Sequence, residues 1–143
     1  MAIGLGCAAF GFVAGFVESV IIGVMWQRAL HRHGVTTEQL FFYSLFYLRI
    51  SLYFVAIPIA ALLLTCWLAP SLLRRWYVAL VVGTALGLFS VFVVQYYVFY
   101  PKFPAMASHS LRERIWPTTF ASAVMFVAAS VFIDRARKPQ STI

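Results

Sequence analysis

Apolar residues fill four long runs of this chain: Ile3 to Leu30, Leu40 to Ala69, Trp76 to Tyr100 and Pro117 to Ile133. Polar residues collect in the breaks between them. A helix crosses a bilayer with about 20 mostly apolar residues, so the pattern predicts four membrane-spanning helices, the last of them short. The breaks carry helix punctuation. Gly34 sits where a C-cap belongs, and Thr36 with Gln39 matches a capping box. The first two spans therefore read as a tight helical hairpin. Ser71, after Pro70, is the expected N-cap of the third span. Tyr100-Pro101-Lys102-Phe103-Pro104 predicts a stop, and Ser110-Leu111-Arg112-Glu113 predicts a second capping box that opens a short interfacial helix over 111–116. The expected fold is an all-α integral membrane protein, one domain of four transmembrane helices arranged as two helical hairpins.

Tryptophan offers an independent check. Trp26, Trp67, Trp76 and Trp116 fall at span ends, and four spans place two of them on each face, as an aromatic belt requires. Composition agrees. Of the 143 residues 63% are apolar and only 10% charged, against about 25% charged in soluble domains, and the mean hydropathy is +0.90. These values exclude a soluble enzyme and a disordered tail. Met1 to Cys7 has no basic stretch of the kind that opens a signal peptide, so the first run is expected to stay as a span.

Eleven basic residues oppose four acidic ones. They cluster at the ends of the apolar runs, which points to anionic headgroups or neighbouring subunits rather than nucleic acid. Arg74, Arg75, Arg135, Arg137 and Lys138 fall at one face, and Arg28, Arg32, Lys102, Arg112 and Arg114 at the other. That balance gives the positive-inside rule no purchase. Four spans put both termini on one side, expected to be cytoplasmic from the short basic tail. Cys7 and Cys66 read as small buried hydrophobes, with a disulfide as the alternative.

Helices in lipid associate mainly through close packing of small residues. Gly11, Gly15, Ser19 and Gly23 recur every fourth position in the first span, as do Ala79, Gly83 and Gly87 in the third; both series contain GxxxG. The fourth span is rich in Ala and Ser. These faces are expected to pack the bundle, with a homo-oligomer or subunit interface as the alternative. Pro58, inside the second span, frees the carbonyl of Phe54 and predicts a kink.

Polar residues within the runs carry the functional signal. Glu18 lies inside the first span, where an unpaired charge costs at least ~2.5–3.5 kcal/mol. Arg49 lies inside the second, at a depth an antiparallel hairpin brings near Glu18. A Glu18–Arg49 ion pair is expected, joined by Gln95 from the third span. Such a pair locks the hairpin; alternatively Glu18 binds a partner or a cofactor, or exchanges protons in a transport cycle. Glu18 with Gly23 downstream resembles the small multidrug resistance transporters, which implies a small oligomeric proton-coupled transporter. The resemblance covers those two residues only. This chain is longer, has a longer third connection, and carries Arg49 where such a transporter has an apolar chamber.

His31, His33 and His109 gather near one face. They read as solvated interfacial side chains, with a haem or pigment ligand set as the alternative, since neutral imidazole is a common axial ligand. No metal site is expected, because no carboxylate motif completes one. Phosphate loops and hydrolase signatures are missing from the sequence. The expected function is a non-catalytic accessory or scaffold subunit of a larger membrane complex, such as an energy-converting one. Its contacts would be membrane lipids, pigments and other transmembrane subunits.

Overall fold

The computed structural model describes residues 2–30, 36–102 and 104–137. The chain forms α1 (Ala2–Leu30) and α2 (Thr37–Leu68), a 3-10 turn (Pro70–Arg74), α3 (Trp76–Val94), a π turn (Gln95–Phe99), α4 (Tyr100–Lys102) and α5 (Pro104–Arg137). Four helical stretches are long and apolar enough to cross a membrane: Ala2–Met25, Thr37–Leu68, Trp76–Lys102 and Arg114–Ala136. They fit a multi-pass membrane protein.

The four long helices close a ring. α2 packs on α1 and α3, and α5 completes the circuit by packing most extensively on α3 and α1. Glycine makes that closure possible. A Cβ added at Gly11 would lie 2.6 Å from Met125 Cβ, and one at Gly15 would lie 2.5 Å from Ala121 Cβ and 2.9 Å from the Pro117 carbonyl. On the other side of α5, a Cβ at Gly83 would meet the Ser122 carbonyl at 2.9 Å, and one at Gly87 would meet Thr119 Cα at 2.7 Å. The backbones of α1 and α3 thus press on α5 from both sides. Ser122 Oγ donates to the Gly83 carbonyl at 2.6 Å and ties α5 to α3. Ala79, Ala121, Met125, Phe126 and Ala129 fill the space between with no exposed surface.

The capping box forms as the spacing predicts. Gln39 N–H donates to Thr36 Oγ1 at 3.3 Å, and Thr36 N–H donates to Gln39 Oε1 at 3.2 Å. Gly34 lies outside the described residues.

Two expectations are corrected. Ser71 does not cap α3; the segment after Ala69 winds into the 3-10 turn, and Arg75 is the residue before the helix. No separate interfacial helix covers 111–116, because α5 runs unbroken from Pro104 through Pro117 to Arg137. A proline forfeits one backbone hydrogen bond. Here Gly15 and Gly87 bring the neighbouring helices onto the carbonyls of Pro117 and Thr118, and that packing carries the helix through.

Pro58 sits buried inside α2. Ser90 Oγ, on α3, donates to the Phe54 carbonyl, the acceptor that Pro58 leaves without its helical partner. A neighbour's hydroxyl thus satisfies a group that lipid leaves bare. Ser90→Ala is expected to cost about 1–2 kcal/mol in a thermal melt. In a Pro58→Ala background it should cost close to nothing, because residue 58 then supplies its own N–H. Equal losses in both backgrounds would show that the bond contributes nothing.

Candidate functional site

Most polar side chains of the core lie toward one end of the bundle, and the packing register sets their level. Gly11 and Gly15 face Met125, Ala121 and Pro117 in antiparallel order, so one turn further along α1 Glu18 and Ser19 come level with Arg114 on α5. Between α1 and α2, Gly4 lies against Leu63 and Cys66. Counting inward from there brings Glu18 level with Ile50 and Ser51. The Ser90–Phe54 bond in turn sets Ser51 level with the residues just before Gln95. Glu18, Ser51, Gln95 and Arg114, one from each side of the ring, therefore share a level.

Burial distinguishes their roles. Ser51 is 6% exposed, Gln95 8% and Arg114 4%, while Glu18 is half-buried with its Oε2 fully enclosed. Among the described residues, neither Glu18 Oε2 nor Ser51 Oγ has a hydrogen-bond partner. A buried polar atom without a partner costs free energy and normally marks a water or ligand position. Thr119 Oγ1, about a turn deeper, is a third such atom.

The expected Glu18–Arg49 ion pair is not made. Arg49 is exposed, although its depth matches. The reason is azimuth: Ser51, Phe54, Val55, Pro58 and Leu62 form the buried stripe of α2, and two residues of α-helix turn through about 200°. Arg49 therefore leaves the helix on the side opposite Ser51, among exposed Phe42, Leu45, Phe46, Leu52 and Tyr53. Gln95, expected as a third member, opens the π turn, a deformation frequent at functional sites. Arg114 is the buried cation that the sequence reading missed. Its signal was the spacing Arg114, Thr118, Ala121, Met125, a helical stripe that continues the core face of α5.

Of the small residues picked out in α1 and α3, Gly11, Gly15, Gly83 and Gly87 lie against α5 and Ala79 is fully buried. Ser19 is buried and turns its hydroxyl back onto the Gly15 carbonyl at 2.9 Å within α1. Gly23 is buried as well. His31 and His33 lie outside the described residues, as does the side chain of His109. Among the described residues, no three His, Cys, Asp or Glu side chains converge.

Aromatic side chains mark both ends. Trp67 and Trp76 are exposed at one. Tyr96, Tyr97, Tyr100 and Trp116 are exposed at the other, where Tyr96 stacks on Tyr100 with centroids 6.3 Å apart. Toward the Trp67 end, an apolar groove of about 580 Å³ between α1 and α5 is lined by Ile3, Gly6, Cys7, Phe10, Ala128 and Phe132. Both cysteines are free thiols. No protein-family model, curated protein or solved structure matches the chain.

Proposed function

We propose that this protein is a non-catalytic subunit of a larger membrane complex, docking through the N-terminal third of α2. The bundle is read as membrane-inserted, as two helical hairpins with both termini on the cytoplasmic side. From Arg49 to Leu68, α2 rises about 28 Å, close to the roughly 30 Å thickness of a hydrocarbon core. Exposed Trp67 and Trp76 suit one boundary of that core; Arg49, Trp116 and the exposed tyrosines suit the other.

The observation that carries the reading is what extends past Arg49. Phe41, Phe42, Leu45 and Phe46 are all exposed, Phe42 at 70%. Phe42 stands about 10 Å beyond Arg49 along the helix axis. An apolar patch of this kind outside the hydrocarbon marks a protein contact, and aromatic residues are enriched at such contacts. Exposed Arg49 at its base supplies a charged register mark.

Photo-crosslinking tests this. With p-benzoyl-phenylalanine in place of Phe42, irradiation of native membranes should give an adduct with a different protein. The same probe at Leu64, exposed on the lipid-facing stripe about one turn from its Trp67 end, should capture lipid. An adduct of twice the chain mass would favour a homo-oligomer, and lipid alone at both positions would remove the docking surface.

A second reading, a small proton-coupled transporter, draws support from the enclosed and unpartnered Glu18 Oε2. It predicts pH-dependent flux in vesicles that is lost on Glu18→Gln.

A further inference from the structure

We propose that the groove between α1 and α5 holds an acyl chain of an anionic phospholipid, whose phosphate sits on Arg135 at the groove's mouth. The seam between these helices sets the groove's place. Gly15 lies against Ala121 and Gly11 against Met125, so the contact advances in four-residue steps. Carried toward the start of α1, the same register brings Cys7 level with Ala128 and Ile3 level with Phe132. On the outer side of that stretch the helices leave a gap. Gly6 is exposed, and a Cβ added to it meets nothing within 4 Å. Ile3, Gly6, Cys7, Phe10, Ala128 and Phe132 line the one groove of about 580 Å³ that results.

The lining selects hydrocarbon. Its side chains are aliphatic, aromatic or a thiol, and Gly6 and Ala128 leave it hollow by carrying almost none. From Ala2 to Phe10 it follows about 12 Å of α1. An empty gap of this kind forfeits dispersion contacts, which a flexible chain of methylenes restores.

Charge selects the headgroup. Ala128, Phe132 and Arg135 share one face of α5, because seven residues turn a helix to about 20° short of two full turns. Arg135 is exposed and lies about 4.5 Å beyond Phe132 along the axis. The apolar stretch of α5 ends beside it, at Ala136, so its guanidinium reaches the headgroup level. There a phosphate accepts its paired N–H groups. Exposed Arg74 and Arg75 close the 3-10 turn that packs on α5 at this same end. Against Asp134, these three arginines leave a positive surplus among the described residues there, which favours an anionic lipid over a zwitterionic one. A second copy or another helix would cover the groove and offer Arg135 no anion. The proposal rests on the bundle lying in a bilayer and not on the α2 contact, which belongs to the opposite end.

Native mass spectrometry of the full-length chain tests the site, after release from bilayer discs of phosphatidylglycerol and phosphatidylcholine with matched tails. The wild type should retain lipid and favour phosphatidylglycerol several-fold. Gly6→Leu, which has room for its side chain, should lower retention of both lipids several-fold at unchanged Tm. Arg135→Gln should retain lipid and lose the headgroup preference. Lys102→Gln, which removes an exposed charge at the other end, should keep that preference.

Wild-type retention in Gly6→Leu would overturn the acyl site. Equal loss of preference in Lys102→Gln and Arg135→Gln would overturn the headgroup assignment. A lipid-free dimer that Gly6→Leu splits would replace the lipid with a second copy of the chain. A chain that never entered the discs would overturn the membrane reading itself, and the lipid with it.

Discussion

Gly15→Leu is expected to damage this bundle severely, whereas Gly6→Leu leaves it intact. At Gly15 a first side-chain carbon already falls 2.5 Å from Ala121 Cβ and 2.9 Å from a backbone oxygen, and neither group can rotate away. At Gly6 the same carbon meets nothing within 4 Å. Overpacking a fixed contact costs about 1–3 kcal/mol and sometimes more, from a total stability of about 5–15 kcal/mol. A fall of roughly 10 °C in Tm follows for a chain of this size, or loss of the monodisperse peak in detergent. Gly11 and Gly87 should behave like Gly15 for the same reason. If Gly6→Leu and Gly15→Leu melted together, the closeness of α1 to α5 would not be what holds the bundle.

Much of the architecture was legible because lipid simplifies the code. Run length and tryptophan position were enough to end α2 within a residue of Ala69 and to start α3 at Trp76. Thr36 and Gln39 were readable because a capping box is local chemistry at fixed spacing. The unbroken passage of α5 through Pro117 was not readable. It depends on Gly15 and Gly87 arriving from other helices, and a proline rule sees only its own segment.

Glu18 and Arg49 show the same limit from another side. Depth can be counted along a sequence, and the two do come to a similar depth. Direction cannot be counted until the face of α2 that meets α1 is known. That face begins at Ser51, which leaves Arg49 outside and Glu18 Oε2 bare. Arg114 was grouped with the basic residues of the membrane surface because it follows a polar segment, yet its helical spacing from Thr118 and Ala121 places it on the core face.

The second large effect is expected at the exposed end of α2. Phe42→Glu with Phe46→Glu should leave the isolated bundle as stable as the wild type, since both rings are exposed, Phe42 with its ring against the edge of Phe41 at 6.2 Å. Substitutions at such positions usually change stability by no more than about 0.5 kcal/mol. Binding is another matter. Two carboxylates set into an apolar contact lose aromatic anchors of about 2 kcal/mol or more each and add unpaired charge. The double variant should therefore run free of any partner while keeping its Tm. A lowered Tm would mean that these phenylalanines belong to the bundle rather than to an interface.

The most direct measurement is extraction of the tagged chain from its native membranes in a mild detergent, with mass spectrometry of whatever co-migrates and an absorption spectrum of the peak. The docking account predicts a stoichiometric complex with other membrane proteins that the Phe42→Glu/Phe46→Glu variant fails to enter. A wild-type chain that migrates alone, or only with copies of itself, would contradict it.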